Sequence, residues 1–172
     1  MSWEATGTFV GVIVALCALW LTISESRERR KHNRLSVKPY LTTWTTSEPE
    51  SGHYLFDVVN NGIGPALIKS FQIYVDGIVV EGVGPKMIDN TLKKLFPNAG
   101  YTAKQSYLAP GYMMPANEKR PLVDVVSKRQ GVPSPQDVEA AQKRIRLVID
   151  YQSIYQDKYR YDSDVSRPIG AS

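Results

Sequence analysis

At 172 residues, 42% of them hydrophobic and 22% charged, the chain is long enough for one domain with its own core. The net charge of +4 and a pI near 9.1 invite a nucleic-acid reading, which the distribution of the charge excludes: residues 25–38 hold six bases and two acids, while residues 39–172 hold 15 bases against 14 acids. A single cysteine, Cys17, excludes an intrachain disulfide.

Taken in chain order, the first element is an uncharged run from Gly7 to Ile23, followed at once by Arg27, Arg29, Arg30, Lys31 and Arg34. As a helix rising about 1.5 Å per residue, the run and its flanks match a hydrocarbon core of ~30 Å. Residues 1–24 therefore read as a transmembrane anchor and residues 25–38 as a basic juxtamembrane segment. A cleaved signal would carry its bases before the apolar run, and here Glu4 precedes it and the bases follow. Lipidation of Cys17 lacks a small residue at Leu16 and a basic leader. Apolar residues on every face, with Trp3 and Trp20 near the ends, suit lipid better than a small core. Because bases beside a span stay on the cytoplasmic side, the expectation is an N-terminus outside and a cytoplasmic domain. The five bases attract anionic headgroups at about 1 kcal/mol each near the surface, which makes membrane lipids the first expected partner. Gly7, Gly11 and Ala15 recur every four residues, a spacing that lets two helices approach and offers a route to homo-oligomerisation through the span, although small residues are frequent in spanning helices and chance accounts for the spacing at least as well.

Residues 39–172 read as one soluble, β-rich domain. Leu35 to Leu41 alternates up to Pro39, which places it at a sheet edge or a strand start. His53 to Val59 predicts a strand with Tyr54, Phe56 and Val58 on one face, and Leu67 to Val75 another with Leu67, Phe71, Ile73 and Val75 aligned. Asp76-Gly77 predicts a tight hairpin turn into Ile78. Further strands are expected near Ser106–Leu108, Pro121–Val126, Arg144–Tyr151 and Lys158–Val165. Two short helices interrupt them. Pro85 to Phe96 carries Ile88, Leu92, Leu95 and Phe96 on one stripe and stops at Pro97. Ser134-Pro-Gln-Asp137 supplies an N-cap serine and an acid three residues on, ahead of Val138, Ala141 and Ile145. The fold expected is mainly β with minor α: a transmembrane helix, then an antiparallel β-sandwich or small barrel with two short helical insertions.

The segments Arg34–Leu41, Tyr54–Ala66 (YLFDVVNNGIGPA) and Val75-Asp-Gly77, with the Leu108-Ala-Pro-Gly111 turn and the Val148–Tyr151 strand, resemble a group of uncharacterised bacterial proteins. In these a single span and a basic stretch precede an immunoglobulin-like β-sandwich. The resemblance implies that fold and an inner-membrane location. It implies no catalytic residue.

Few residues carry chemistry. Asn60-Asn-Gly-Ile-Gly-Pro-Ala66 has a Gly-x-Gly pair, but Pro65 removes an amide donor and no third glycine or Gly-Lys-Ser/Thr follows, so it reads as a glycine-enabled turn whose asparagines bond their own backbone. Two histidines, His32 and His53, lack partners at ligand spacing, so no metal and no cofactor is expected. Neither sits in a nucleophile motif. Scattered acids such as Asp57, Asp76, Asp124 and Asp150 leave an enzyme as a third class, with Asp76 better explained as a turn residue. Tyr151, Tyr155, Tyr159 and Tyr161 are dense enough to form an interaction surface, although a half-buried sheet face is the better account of them. The expected function is non-enzymatic: a single-pass membrane protein whose cytoplasmic sandwich is a protein-interaction or scaffold module with an unknown protein partner and no nucleic acid. The alternative is a membrane-acting effector in which the β domain senses a ligand or oligomerises and the span perturbs the bilayer.

Overall fold

The computed structural model describes residues 3–48, 50–97, 101–127 and 133–165, without the side chains of 3–12, 14, 101, 127 and 135. Contacts divide the chain into two compact units, Met1–Ser36 and Val37–Ser172. The first unit holds one helix, α1 (Trp3–Leu35). It runs without a break from the apolar stretch through the basic segment, helped by Thr22 Oγ1 donating to Ala18 O at 2.8 Å and by a Glu25–Arg29 pair one turn apart. It ends where Ser36 donates to His32 O and Asn33 O.

Of the span expected over Gly7 to Ile23, the side chains of residues 7–12 and 14 lie outside the described ones. Among the described residues no helix is long and apolar enough to cross a membrane.

The second unit is two antiparallel sheets packed as a sandwich. The first sheet orders β1 (Leu41–Glu48), β2 (His53–Asn60), β7 (Lys119–Ser127) and β5 (Tyr101–Gln105) as β1-β2-β7-β5. The second orders β4 (Ile78–Val79), β3 (Ala66–Val75), β8 (Ile145–Gln152) and β9 (Lys158–Asp162) as β4-β3-β8-β9, with β6 (Met113–Met114) also pairing β3. Two separate sheets replace the barrel alternative. With α1 counted, the chain is mixed α/β rather than mainly β.

Alternation places Val58 of β2, Phe71 and Ile73 of β3, and Leu147 and Ile149 of β8 in the buried core. A register shift between Ile68 and Ser70 turns Ile68 inward in place of Leu67, so the expected face of β3 holds only from Phe71 onward. Asp76 and Gly77 both have positive φ, 52° and 77°, and join β3 to β4 as a hairpin whose twist matches its strands. Two helices cover the sandwich: α2 (Pro85–Leu95), which buries Met87, Ile88, Thr91, Leu92 and Leu95, and α3 (Pro135–Arg144). The expected capping box of α3 is present, since Asp137 N donates to Ser134 Oγ and Asp137 Oδ2 accepts from Ser134 N.

Two strand expectations fail. Residues 35–41 are not a strand: α1 extends through Leu35, and the backbone of Lys38 and Tyr40 is engaged by the 60–64 loop instead, with Ile63 N donating to Lys38 O and Asn61 N to Tyr40 O. The first strand begins at Leu41. Ser106 to Leu108 lies just past β5 and contributes the buried Leu108 rather than a strand.

Candidate functional site

Leu41, Thr43 and Thr45 alternate along β1 and face Tyr54 and Phe56 of the neighbouring β2. Opposite them stand Ile73 of β3, Leu147 of β8 and Tyr161 of β9. Ile88, Thr91, Leu92 and Leu95 of α2 and Val138 and Ala141 of α3 complete the wall. Between these elements lies a cavity of about 710 Å³, within the ~300–1,000 Å³ usual for small-molecule pockets. Exposed wall residues, Tyr40 just before β1, Thr45 of β1, and Glu139 and Lys143 of α3, show where it opens to solvent.

Four hydroxyls of the wall, those of Thr43, Tyr161, Thr91 and Tyr54, are already engaged by the protein. Thr43 Oγ1 and the Tyr161 hydroxyl share a 2.6 Å hydrogen bond that ties β1 to β9 across the two sheets. Thr91 Oγ1 donates to Met87 O at 2.9 Å, and the Tyr54 hydroxyl to Pro133 O at 3.4 Å. The interior they enclose is chemically apolar. Beside it, Leu41 N donates to the Tyr151 hydroxyl at 3.4 Å, and burial pushes the Tyr151 phenol above its ordinary pKa.

The four tyrosines do not form one exposed face. Tyr151 and Tyr161 are 4% and 6% exposed, Tyr159 is half-buried and stacks on Tyr151 with ring centres 5.6 Å apart, and Tyr155 is exposed. Tyr161 lines the cavity, where its hydroxyl closes the sandwich edge. Arg27, Arg29, Arg30, Lys31 and Arg34 are exposed along α1, as is Ala15. Gly7 and Gly11 lie in the same helix, on positions outside the described side chains.

The acids are held by named partners. Asp76 takes both nitrogens of Arg144 at 2.9 and 2.6 Å, which lowers its pKa. For Asp150 burial works to raise the pKa, but the Ser70 hydroxyl at 2.7 Å and Arg160 at 2.8 Å outweigh it and hold the group low. Asp124 Oδ1 is 2.7 Å from His53 Nε2, with Glu48 3.8 Å from the other ring nitrogen. Asp57 is buried, its Oδ2 2.9 Å from Lys119 Nζ in an ion pair that is not aligned as a hydrogen bond. None of these acids borders the cavity. No group of three metal-ligating side chains occurs among the described residues.

The conspicuous 60–66 loop is a structural lock. The Asn60 amide, fully buried, accepts from Tyr40 N and Gly62 N, both at 3.1 Å, and donates to Gly64 O, Met114 O and Pro115 O. A Cβ on Gly64 would lie 1.8 Å from Val37 O, and one on Gly62 2.3 Å from Tyr40 N, so glycine here answers to space.

Sequence reasoning misses the cavity because its wall begins at Leu41, where the strand was expected to stop. The signal available was Leu41-Thr-Thr-Trp-Thr-Thr46, a β-branched alternation. The chain belongs to the family described as a domain of unknown function, DUF8453, whose model matches residues 3–167. No curated protein matches it.

Proposed function

We propose that the chain is a non-enzymatic, membrane-anchored binding module. A single N-terminal span with its N-terminus outside carries an immunoglobulin-like β-sandwich on the cytoplasmic side of a bacterial inner membrane, and the sandwich engages a protein partner as an interaction or scaffold module. The observation that carries the binding reading is the apolar cavity between the sheets, while Asp76, Asp150 and Asp124, which do not border it, are spent on structural pairs. The anchoring rests on the sequence, the uncharged run Gly7 to Ile23 and the bases that follow it.

The test is purification of the intact chain in detergent with identification of what accompanies it. A partner at constant ratio through successive columns supports the module. A chain that runs alone at every loading opposes it. A reporter fused after Ser172 that is active only outside the cytoplasm would remove the orientation.

The cavity also favours the second reading, in which the sandwich senses a ligand and the helix then perturbs the bilayer. Growth arrest on overexpression that disappears when α1 is replaced by an unrelated span separates this from a scaffold. Self-association through Gly7, Gly11 and Ala15 belongs to both readings, and a span-dimerisation reporter unchanged by Gly11→Ile would exclude it.

A further inference from the structure

We infer that the cavity between the sheets binds a single-chain aliphatic molecule with an uncharged polar head, a long-chain alcohol or an ester of one. This names the ligand of the binding module proposed above and rests on that reading in one respect, that the site holds its ligand unchanged.

Three observations select this chemistry. First, the interior surface is built from Phe56, Ile73, Leu92, Val123 and Leu147, and its wall hydroxyls at Thr43, Tyr161, Thr91 and Tyr54 are bonded within the protein. An apolar tail loses nothing against such a wall, while a polar body would leave its own groups unpaired. Second, among the described residues the charged side chains on the wall are Glu139 and Lys143, both at the open side, opposite in sign and 3.4 Å apart. They form a neutral polar rim that suits a hydroxyl or ester. A carboxylate or ammonium head there would have to compete with one partner for the other, and inside the cavity it would stand uncompensated. Third, the space is a slot between two sheets, whose backbones in a sandwich lie about 10 Å apart. At roughly 30 Å³ for a group the size of a water molecule, 710 Å³ holds on the order of twenty methylene-sized groups. A flexible chain can follow a slot walled by eight secondary-structure elements.

The probe is a hexadecanol analogue with a photoactivatable diazirine in its chain, offered to the full chain in phosphatidylcholine nanodiscs, with the labelled peptides mapped by mass spectrometry. The expected result is label in the peptides holding Phe56, Leu92 and Val123, displaced by plain hexadecanol and displaced at least about ten-fold less well by hexadecanoate. Thr45→Trp fills the open side from an exposed position and should cut this labelling by about ten-fold. Val138→Trp fills it from α3, and the same loss is expected there should the first variant not fold. Label confined to α1, or hexadecanoate displacing as well as the alcohol, overturns the assignment while the partner purification above still stands. Recovery of a chemically altered alcohol supports the site and removes the non-enzymatic reading instead.

Discussion

Asn60 shows how much one side chain can organise. Its buried amide joins the end of β2 to the approach to β1 through Tyr40, to its own loop through Gly62 and Gly64, and to Met114 and Pro115 beside β6. Asn60→Ala leaves several buried backbone groups without partners, and about 3 kcal/mol of stability should go with it. Urea unfolding with an unchanged slope checks this. The sequence supports the half of the role in which asparagine bonds nearby backbone. The other half reaches more than fifty residues along the chain, and no local pattern announces it. Asp162 makes a residue-scale prediction of another kind. Arg146 grips its carboxylate with two hydrogen bonds, at 3.0 and 2.6 Å, and the guanidinium holds the Asp162 pKa below its ordinary 3.8. A depressed carboxylate stabilises the fold above the unfolded value, and that contribution disappears as pH falls through the folded one. Asp162→Asn should therefore cost about 1 kcal/mol at neutral pH. The difference from the unaltered chain should shrink once the pH drops below 3.8. Denaturation midpoints of both proteins across that range measure it.

Among the elements, β2, β3, β7, β8 and β9 were legible from their strand-like runs, and the helices and the hairpin from a punctuating residue. Asp76-Gly77, Pro85 and the Ser134 box each fix a boundary by a local mechanism, and α2, α3 and the β3–β4 hairpin lie where those residues put them. β5 and β6 carry no such signal. β5 forms its five pairs along the edge of β7, and β6 exists because two residues meet β3, so tertiary pairing decides both. Leu35 to Leu41 misled for a related reason. Its alternation suits a strand, but α1 continues through Leu35 and the 60–64 loop occupies the backbone that a strand partner would use. The capping box gives the prediction at this scale. Ser134→Ala should cost about 1 kcal/mol and speed amide exchange through the first turn of α3, with β8 amides unchanged. Since Ser134 also lowers the Asp137 pKa, part of the effect of the substitution should fade in acid, as the carboxylate protonates in both proteins, while the share from the Asp137 N to Ser134 Oγ bond stays.

Across the whole molecule the charge is divided unevenly between the two units. Five of the six bases of 25–38 lie on α1 with their side chains exposed, while residues 39–172 are nearly neutral. On the membrane-anchored reading this division assigns lipid contact to the helix and leaves the sandwich free of electrostatic attraction to the surface. Replacing Arg27, Arg29, Arg30, Lys31 and Arg34 with glutamine removes five of the six bases in that segment. The preference of the full chain for vesicles with anionic lipid over neutral vesicles should then fall by up to about 1 kcal/mol per base at low salt. It should fall less at higher salt, because exposed charges are screened within about 10 Å at 0.1 M. The urea midpoint of the sandwich should not move, since none of the five side chains belongs to residues 37–172. A quintuple variant that keeps its preference for anionic vesicles would transfer the contact to the second unit, where the exposed Lys143 and Tyr40 beside the cavity mouth are the next residues to substitute.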